Sequence, residues 1–153
     1  LPVAAKKLIS GPAQVYTSMR ISDNLKESTS SFYAELKRIK YLLEKINTEN
    51  DQVVMFFLDE ILKGTNSQDR HKGAIGLIQQ LISSSAKGFV STHDLDLAYH
   101  FQTTEQLKNY SFNSQLNDGQ LSFDYKLTDS ICHSTNASDL MMQMGIILPA
   151  EKE

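Results

Sequence analysis

The sequence lacks several features that mark particular classes of protein. It has one cysteine, Cys132, so no disulfide can form within the chain, and a reducing compartment such as the cytoplasm is expected. Its longest apolar run, residues 53–58, is far shorter than the about 20 residues that a membrane-spanning helix needs. The net charge of −3 gives no sign of a basic surface that binds nucleic acid.

An N-terminal signal-peptide pattern and a phosphate-binding loop are also absent from this sequence. The chain starts at Leu1-Pro2-Val3 without methionine or a signal-peptide pattern, so we expect it to be a segment of a longer protein. None of its seven glycines is followed by lysine, which excludes a G-x-x-x-x-G-K-[ST] phosphate-binding loop in these residues. The 153 residues, 41% of them hydrophobic and 22% charged, otherwise fit one globular domain.

Two apolar segments that end in polar residues predict neighbouring strands of a parallel sheet. Residues 53–58 are apolar without alternation, as in a strand buried on both faces, and Asp59-Glu60 follows them. Residues 88–92 form the second segment, which ends at His93-Asp94. A helix that Ser67 could cap lies between the segments and completes a β-α-β unit. Its predicted apolar stripe contains Ala74, Ile78, Leu81 and Ile82.

The remaining segments predict an α/β fold with a C-terminal hairpin. A strand at residues 14–20 is expected to precede a helix. The apolar stripe of that helix is predicted to contain Phe32, Leu36, Ile39, Leu43 and Ile46. Alternating apolar residues on both sides of Asn117-Asp118-Gly119 indicate a β-hairpin. A short helix at residues 140–144, capped by Ser138 and closed by Gly145, is predicted to follow.

Asp59, Glu60 and His93 are the candidate catalytic residues. Parallel sheets place ligands beyond the carboxyl ends of their strands, where both polar segments fall. Two carboxylates there could divide the binding of Mg²⁺ and the polarisation of water, and an imidazole could contact a transferring phosphate. A strand end that simply meets solvent explains the same residues. His71, His100 and His133 are interpreted as structural. Asp94 and Asp96 could bind a metal, but an exposed helix start explains them as well.

Four blocks of the sequence resemble the nucleotide-binding domain of the MutS family, within the wider ABC ATPase group. Residues 23–36 resemble the signature block D-D-L-x-x-G-x-S-T-F-x-x-E-M, and residues 56–60 resemble a Walker B strand. Residues 61–69 resemble the loop that follows that strand, and residues 91–94 resemble the segment with the switch histidine. The order and spacing of the blocks match along most of the chain. The resemblance identifies residues 1–153 as the C-terminal part of a partial P-loop NTPase domain.

The resemblance implies a role for each matched residue. Asp59 would support Mg²⁺, Glu60 would act as general base, and His93 would contact the γ-phosphate of ATP. Ser30 would be the signature serine, presented to the nucleotide of a partner subunit in a homodimer. The loop with Asn66 and Ser67 would line the dimer seam and the nucleotide. DNA would be bound by other domains of the parent protein.

Two departures from the family pattern leave alternatives open. Ser28 stands where the family usually has glycine, so its Cβ could weaken the signature contact with phosphate. The missing phosphate loop predicts negligible ATP affinity for these residues alone. One alternative is a non-catalytic dimerisation or interaction module, and another is a different ABC-type ATPase. A third is a metal-dependent nuclease that uses Asp59, Glu60, His93 and Asp94.

Overall fold

The computed structural model describes residues 6–7, 9–19, 31–48, 52–117, 120–132, 136–147 and 149. The chain divides into two compact units, Leu1–Leu97 and Ala98–Glu153. Among the helices in these described ranges, none has the length and apolar character needed to cross a membrane.

A parallel sheet of three strands forms the centre of the first unit. Its strands, in spatial order, are β1 (Ala13–Ser18), β2 (Val53–Asp59) and β3 (Lys87–Ser91). The connecting helices are α1 (Ser31–Thr48) and α2 (Ser67–Ile82). The register pairs Asp59 with Ser91, so the carboxyl ends of β2 and β3 lie side by side. The predicted β-α-β unit is therefore confirmed, with strand ends shifted by one or two residues.

One face of the sheet is buried and the other is partly exposed. Val54, Phe56 and Leu58 of β2 are buried, whereas Met55 and Phe57 on the opposite face are half-buried. Parallel crossovers are right-handed, and the strand order runs in one direction, so α1 and α2 are expected on the same face. The prediction that β2 is buried on both faces is therefore wrong.

The buried face of α1 differs from the predicted stripe by one position. Ile39 and Leu42 are buried, but Leu36, which was expected in the core, is 38% exposed. Glu35 turns towards the protein instead, and its Oε1 accepts a hydrogen bond from the backbone N–H of Leu62 at 2.5 Å. Glu35 therefore lies on the inner face of α1, where the apolar periodicity predicted Leu36.

Asn66, and not Ser67, caps α2. Its side-chain oxygen accepts a hydrogen bond from the N–H of Asp69 at 2.9 Å, and its Nδ2 donates to the Asp69 carboxylate at 2.6 Å. This reciprocal pair satisfies a helix N–H that has no partner within the helix. The predicted cap at Ser67 is wrong because Ser67 is already the first helical residue.

The second unit contains an antiparallel hairpin and a short helix. Its elements are β4 (Ser111–Asn117), β5 (Gln120–Thr128) and α4 (Asn136–Gln143), and α3 (Leu95–His100) leads into it. The hairpin is confirmed, although Gly119 lies outside the described residues. Gly145, at φ +86°, ends α4 as predicted, with hydrogen bonds from Gly145 N to Met142 O and from Ile146 N to Met141 O. The predicted cap Ser138 lies inside α4, which begins two residues earlier.

Candidate functional site

The tips of β2 and β3 bring the predicted catalytic residues to one edge of the sheet. The backbone N–H of Glu60 donates to the carbonyl of Ser91 at 3.0 Å, which continues the pairing of the strands beyond Asp59. His93 follows two residues after that carbonyl. Its Nε2 lies 2.5 Å from Oε1 of Glu60. The structure therefore brings together Glu60 and His93, which lie on different strand ends and far apart in the sequence.

Glu60 is held between two groups that can carry positive charge. Its side chain is 19% exposed and contacts both the ammonium of Lys63 and the imidazole of His93, which is itself 89% exposed. A carboxylate with little access to water gains more from such partners than an exposed one does. The Glu60 carboxylate therefore has a nitrogen-bearing side chain against each of its two oxygens.

The backbone around Glu60 adopts an unusual conformation. Glu60 has φ 47° and Leu62 has φ 60°, a region that costs non-glycine residues about 1–3 kcal/mol each. Hydrogen bonds from the two N–H groups hold this turn, with Ser91 accepting from Glu60 and Glu35 accepting from Leu62. The buried side chains of Ile61 and Leu62 anchor it further. The site is therefore built on a fixed turn.

Asp59 is the last residue of β2, and its carboxylate bonds to Ser91 on the neighbouring strand β3. Its Oδ1 accepts a hydrogen bond from the hydroxyl of Ser91, and that hydroxyl also accepts from the Glu60 N–H at 3.3 Å. Carboxylate and hydroxyl oxygens are hard ligands of the kind that Mg²⁺ prefers, usually with one or two carboxylates and several waters. Asp59 and Ser91 therefore offer oxygen atoms of the type that Mg²⁺ prefers.

A cleft of about 620 Å³ opens next to Glu60. Four segments line it: the turn after β2, the N-terminal part of α2, the turn after β3, and the start of α3. Lys63, Arg70 and His93 bring positive or protonatable groups to it, and Glu60 and Asp94 bring carboxylates. Ser67 is among the lining residues, whereas Asn66 is not and uses its side chain to cap α2. Asp59 is also not among the residues that line this cleft.

A second histidine reaches the cleft from α2. Nδ1 of His71 lies 2.9 Å from Oδ2 of Asp94. Burial by itself raises the pKa of Asp94, but the hydrogen bonds from His71 and the Leu97 N–H outweigh it. With the charges of His71 and Arg70, they lower the pKa below its ordinary value of 3.8. Asp94 is therefore ionised at neutral pH and can only accept, so His71 Nδ1 is the donor.

The structure also shows which predicted site residues do not meet. Ser28 and Ser30 lie outside the described residues. Asp94 turns to His71 and to the start of α3 rather than to Asp59 and Glu60. No three His, Cys, Asp or Glu side chains in the described part of the chain form a metal-holding group. The four residues of the proposed nuclease centre therefore do not converge.

Among the residues that line or support the site, the sequence did not identify Glu35, Lys63, Arg70 or His71. For His71 a signal was present. The buried residues Ala74, Ile78 and Leu81 continue upstream at helical spacing through His71 to Ser67, so His71 lies on the inward face of α2. A polar residue can indicate a functional site when it lies on the inner face of a helix, at the helix end that is near the strand tips. The structural interpretation of His71 did not use this placement.

Comparisons with known proteins give one consistent result. A family model described as MutS domain V matches residues 2–151. MutS protein homolog 4 of Mus musculus is 25% identical over 130 residues, which cover 81% of this chain and 13% of that protein. Endonuclease MutS2 of Fusobacterium nucleatum is 29% identical over 132 residues, or 86% of this chain and 16% of that protein. DNA mismatch repair protein MSH4 of Arabidopsis thaliana is 27% identical over 132 residues, with the same two coverages. The chain thus spans only 13–16% of the length of these relatives.

Proposed function

The chain belongs to the MutS family, and on that basis we propose that it is the second half of an ATP-hydrolysing domain in a DNA mismatch-repair protein. The observation that carries the proposal is the contact between Glu60 and His93 at the tips of two parallel strands. Ligands of parallel sheets bind beyond such tips. We accordingly propose that the fold is part of a P-loop NTPase domain of the ABC type.

Glu60 and His93 have complementary tasks in this proposal. Glu60 orients and deprotonates the attacking water, and His93 donates a hydrogen bond to the oxygens of the terminal phosphate. Lys63 offsets the charge of Glu60, which would otherwise repel the polyphosphate. Because the side chains of Glu60 and His93 are in contact, both residues could act on one phosphate group.

Asp59 is the residue that would hold Mg²⁺, and Ser91 fixes the orientation of its carboxylate. The ion, when bound, would neutralise charge on the phosphate oxygens. The chain's own contribution is the set of oxygens at the end of β2. The main cradle for the phosphates would come from an upstream segment that carries the missing G-x-x-x-x-G-K-[ST] loop.

We also propose that the site is completed in a homodimer. Ser30 would reach the nucleotide of the partner subunit, and the loop with Asn66 and Ser67 would lie at the seam. In this arrangement Asn66 acts by starting α2, while Ser67 faces the cleft directly. DNA would be bound by other domains of the parent, in agreement with the net charge of −3.

The test is ATP hydrolysis by the longer protein with Glu60→Gln. We expect kcat to fall about 100-fold or more, the usual contribution of a general base, while ATP binding is retained. Glu44→Gln is the matched control, because Glu44 is an exposed residue of α1 that pairs with Lys40. The 153-residue chain alone should show no turnover. Wild-type hydrolysis by the Glu60→Gln protein would refute the catalytic role, and no hydrolysis by the unmutated longer protein would favour a non-catalytic interaction module.

A further inference from the structure

His93 reaches Glu60 although little of its own side chain is packed. It is 89% exposed, so burial does little to select the rotamer or backbone position that brings it to Glu60. Exposed side chains keep much of their rotamer freedom, and holding one in place has an entropic cost. The position of His93 must therefore be set mainly by the turn that carries it.

Asp94 fixes that turn through three separate hydrogen bonds. Its backbone N–H donates to the hydroxyl of Thr92 at 3.0 Å, on the other side of His93. Its Oδ1 accepts from the N–H of Leu97 at 3.2 Å, which caps the start of α3. Its Oδ2 accepts from His71 at 2.9 Å. Of these three bonds, only the one from His71 comes from outside the turn and its following helix.

His71 stands on a well-anchored element. It lies one turn before Ala74, and the side chains of Ala74, Leu77, Ile78 and Leu81 are buried. The imidazole is itself two-thirds covered, with 33% of its side chain exposed. Because His71 is held firmly on α2, its hydrogen bond fixes the position of Asp94 relative to that helix.

We propose that His71 is a positioning residue for His93, acting through Asp94. The inference rests on the proposed ATP hydrolysis. It assigns His71 no contact with the nucleotide. Loss of the His71 bond frees the Asp94 carboxylate and loosens the turn, so His93 spends less time beside Glu60. Misplacement of a catalytic group by about 1 Å can lower a rate by about 100-fold. For a loosened turn we expect roughly a 10-fold fall in kcat, with KM for ATP nearly unchanged.

Two variants of His71 separate the hydrogen bond from packing in the longer protein. His71→Leu keeps a bulky side chain but removes the donor, and should show the fall in kcat. His71→Asn places an amide nitrogen near the position of Nδ1 and should restore most of the rate. His100→Leu makes the same substitution at an exposed histidine of α3 and should hydrolyse ATP at the wild-type rate.

A double-mutant cycle with His93→Ala tests whether His71 acts through His93. If it does, His71→Leu causes little further loss once His93 is gone, because the two changes remove one interaction. A purely structural role for His71 predicts that the two losses multiply, and that result would overturn the inference. So would a wild-type kcat for His71→Leu, or a failure of His71→Asn to recover the rate. If His71→Leu does not fold, the same cycle is run with Asp94→Asn, which weakens the same bond by removing the charge of its acceptor.

The parallel measurement on Glu60→Gln distinguishes this inference from the function on which it rests. Full hydrolysis by Glu60→Gln removes the proposed function itself. Loss of hydrolysis in Glu60→Gln together with a normal His71→Leu protein leaves the function standing and removes only the role of His71.

Discussion

Replacement of Gly64 by alanine tests how closely α1 packs against the turn that carries the site. A Cβ at Gly64 would lie 2.5 Å from Cβ of Phe32 and 3.0 Å from its Cα. Gly64 does not have the positive φ that Gly145 has, so lack of space, and not backbone conformation, is what requires glycine there. Gly76 of α2 is the matched control, since a Cβ there meets nothing within 4 Å.

The two substitutions are expected to change stability in opposite directions. The obstacle at Gly64 is the backbone of a helix rather than a flexible side chain, so the overlap should cost about 1–3 kcal/mol. The smaller conformational freedom of alanine in the unfolded chain returns about 0.4–1 kcal/mol of that. Gly76→Ala has no overlap, and alanine in a helix should stabilise by about 0.5–1 kcal/mol. The pair should therefore differ by about 2 kcal/mol in the free energy of unfolding.

Urea unfolding followed by far-ultraviolet circular dichroism measures this difference directly. With a slope of about 1–3 kcal/mol per molar urea, the midpoints should be separated by roughly 1 M. The slopes themselves should agree, because both variants expose the same surface when they unfold. Equal midpoints for Gly64→Ala and Gly76→Ala would refute the close packing of α1 on the turn. The Glu35–Leu62 hydrogen bond, which depends on the same approach, would then lose its support.

The remaining predictions concern a helix cap and a titrating carboxylate. Asn66→Ala should lower stability by about 0.5–2 kcal/mol because it removes the cap of α2, whereas Ser67→Ala should be nearly neutral in the same urea assay. A loss of nucleotide binding in Asn66→Ala without any loss of stability would contradict the capping role. The pKa of Asp94 is lowered on folding, so its contribution to stability is fully present above about pH 5 and is lost as the pH falls below 3.8. The free energy of unfolding of the unmutated protein should therefore exceed that of Asp94→Asn by less and less as the pH falls, in unfolding curves measured at several pH values. Asp96→Asn is the control, because it makes the same charge change at an exposed position. A difference that stays constant with pH would rule out a lowered pKa for Asp94.

The sheet and the edge that carries the candidate site could be predicted because their signals are local. An apolar run that stops at Asp59-Glu60, and a second that stops at His93, each identify a strand and its tip within a few residues. Parallel topology then requires both tips to lie at one edge, so the meeting of Glu60 and His93 follows from general rules of sheet architecture.

The supporting contacts could not be predicted, because they join residues far apart in the sequence. Glu35 bonds the backbone of Leu62 across 27 positions, and His71 bonds Asp94 across 23. Periodicity placed Leu36 rather than Glu35 on the inner face of α1, since it counts apolar residues and cannot detect a carboxylate that is needed inside. The capping role of Asn66 was missed for a different reason. The resemblance assigned it to the nucleotide, although an asparagine three residues before Asp69 is also a local capping pattern.

The strained turn explains why the site needs these distant contacts. Positive φ at both Glu60 and Leu62 is unfavourable for an isolated chain, so the turn persists only where the surroundings over-determine it. Ser91 of β3 accepts from one of the two N–H groups, and Glu35 of α1 accepts from the other. Because each contact comes from a different element, the position of the Glu60 carboxylate depends on α1 as well as on the sheet. Substitutions in α1 should therefore alter the position of Glu60 through the Glu35–Leu62 hydrogen bond, without any contact with the cleft.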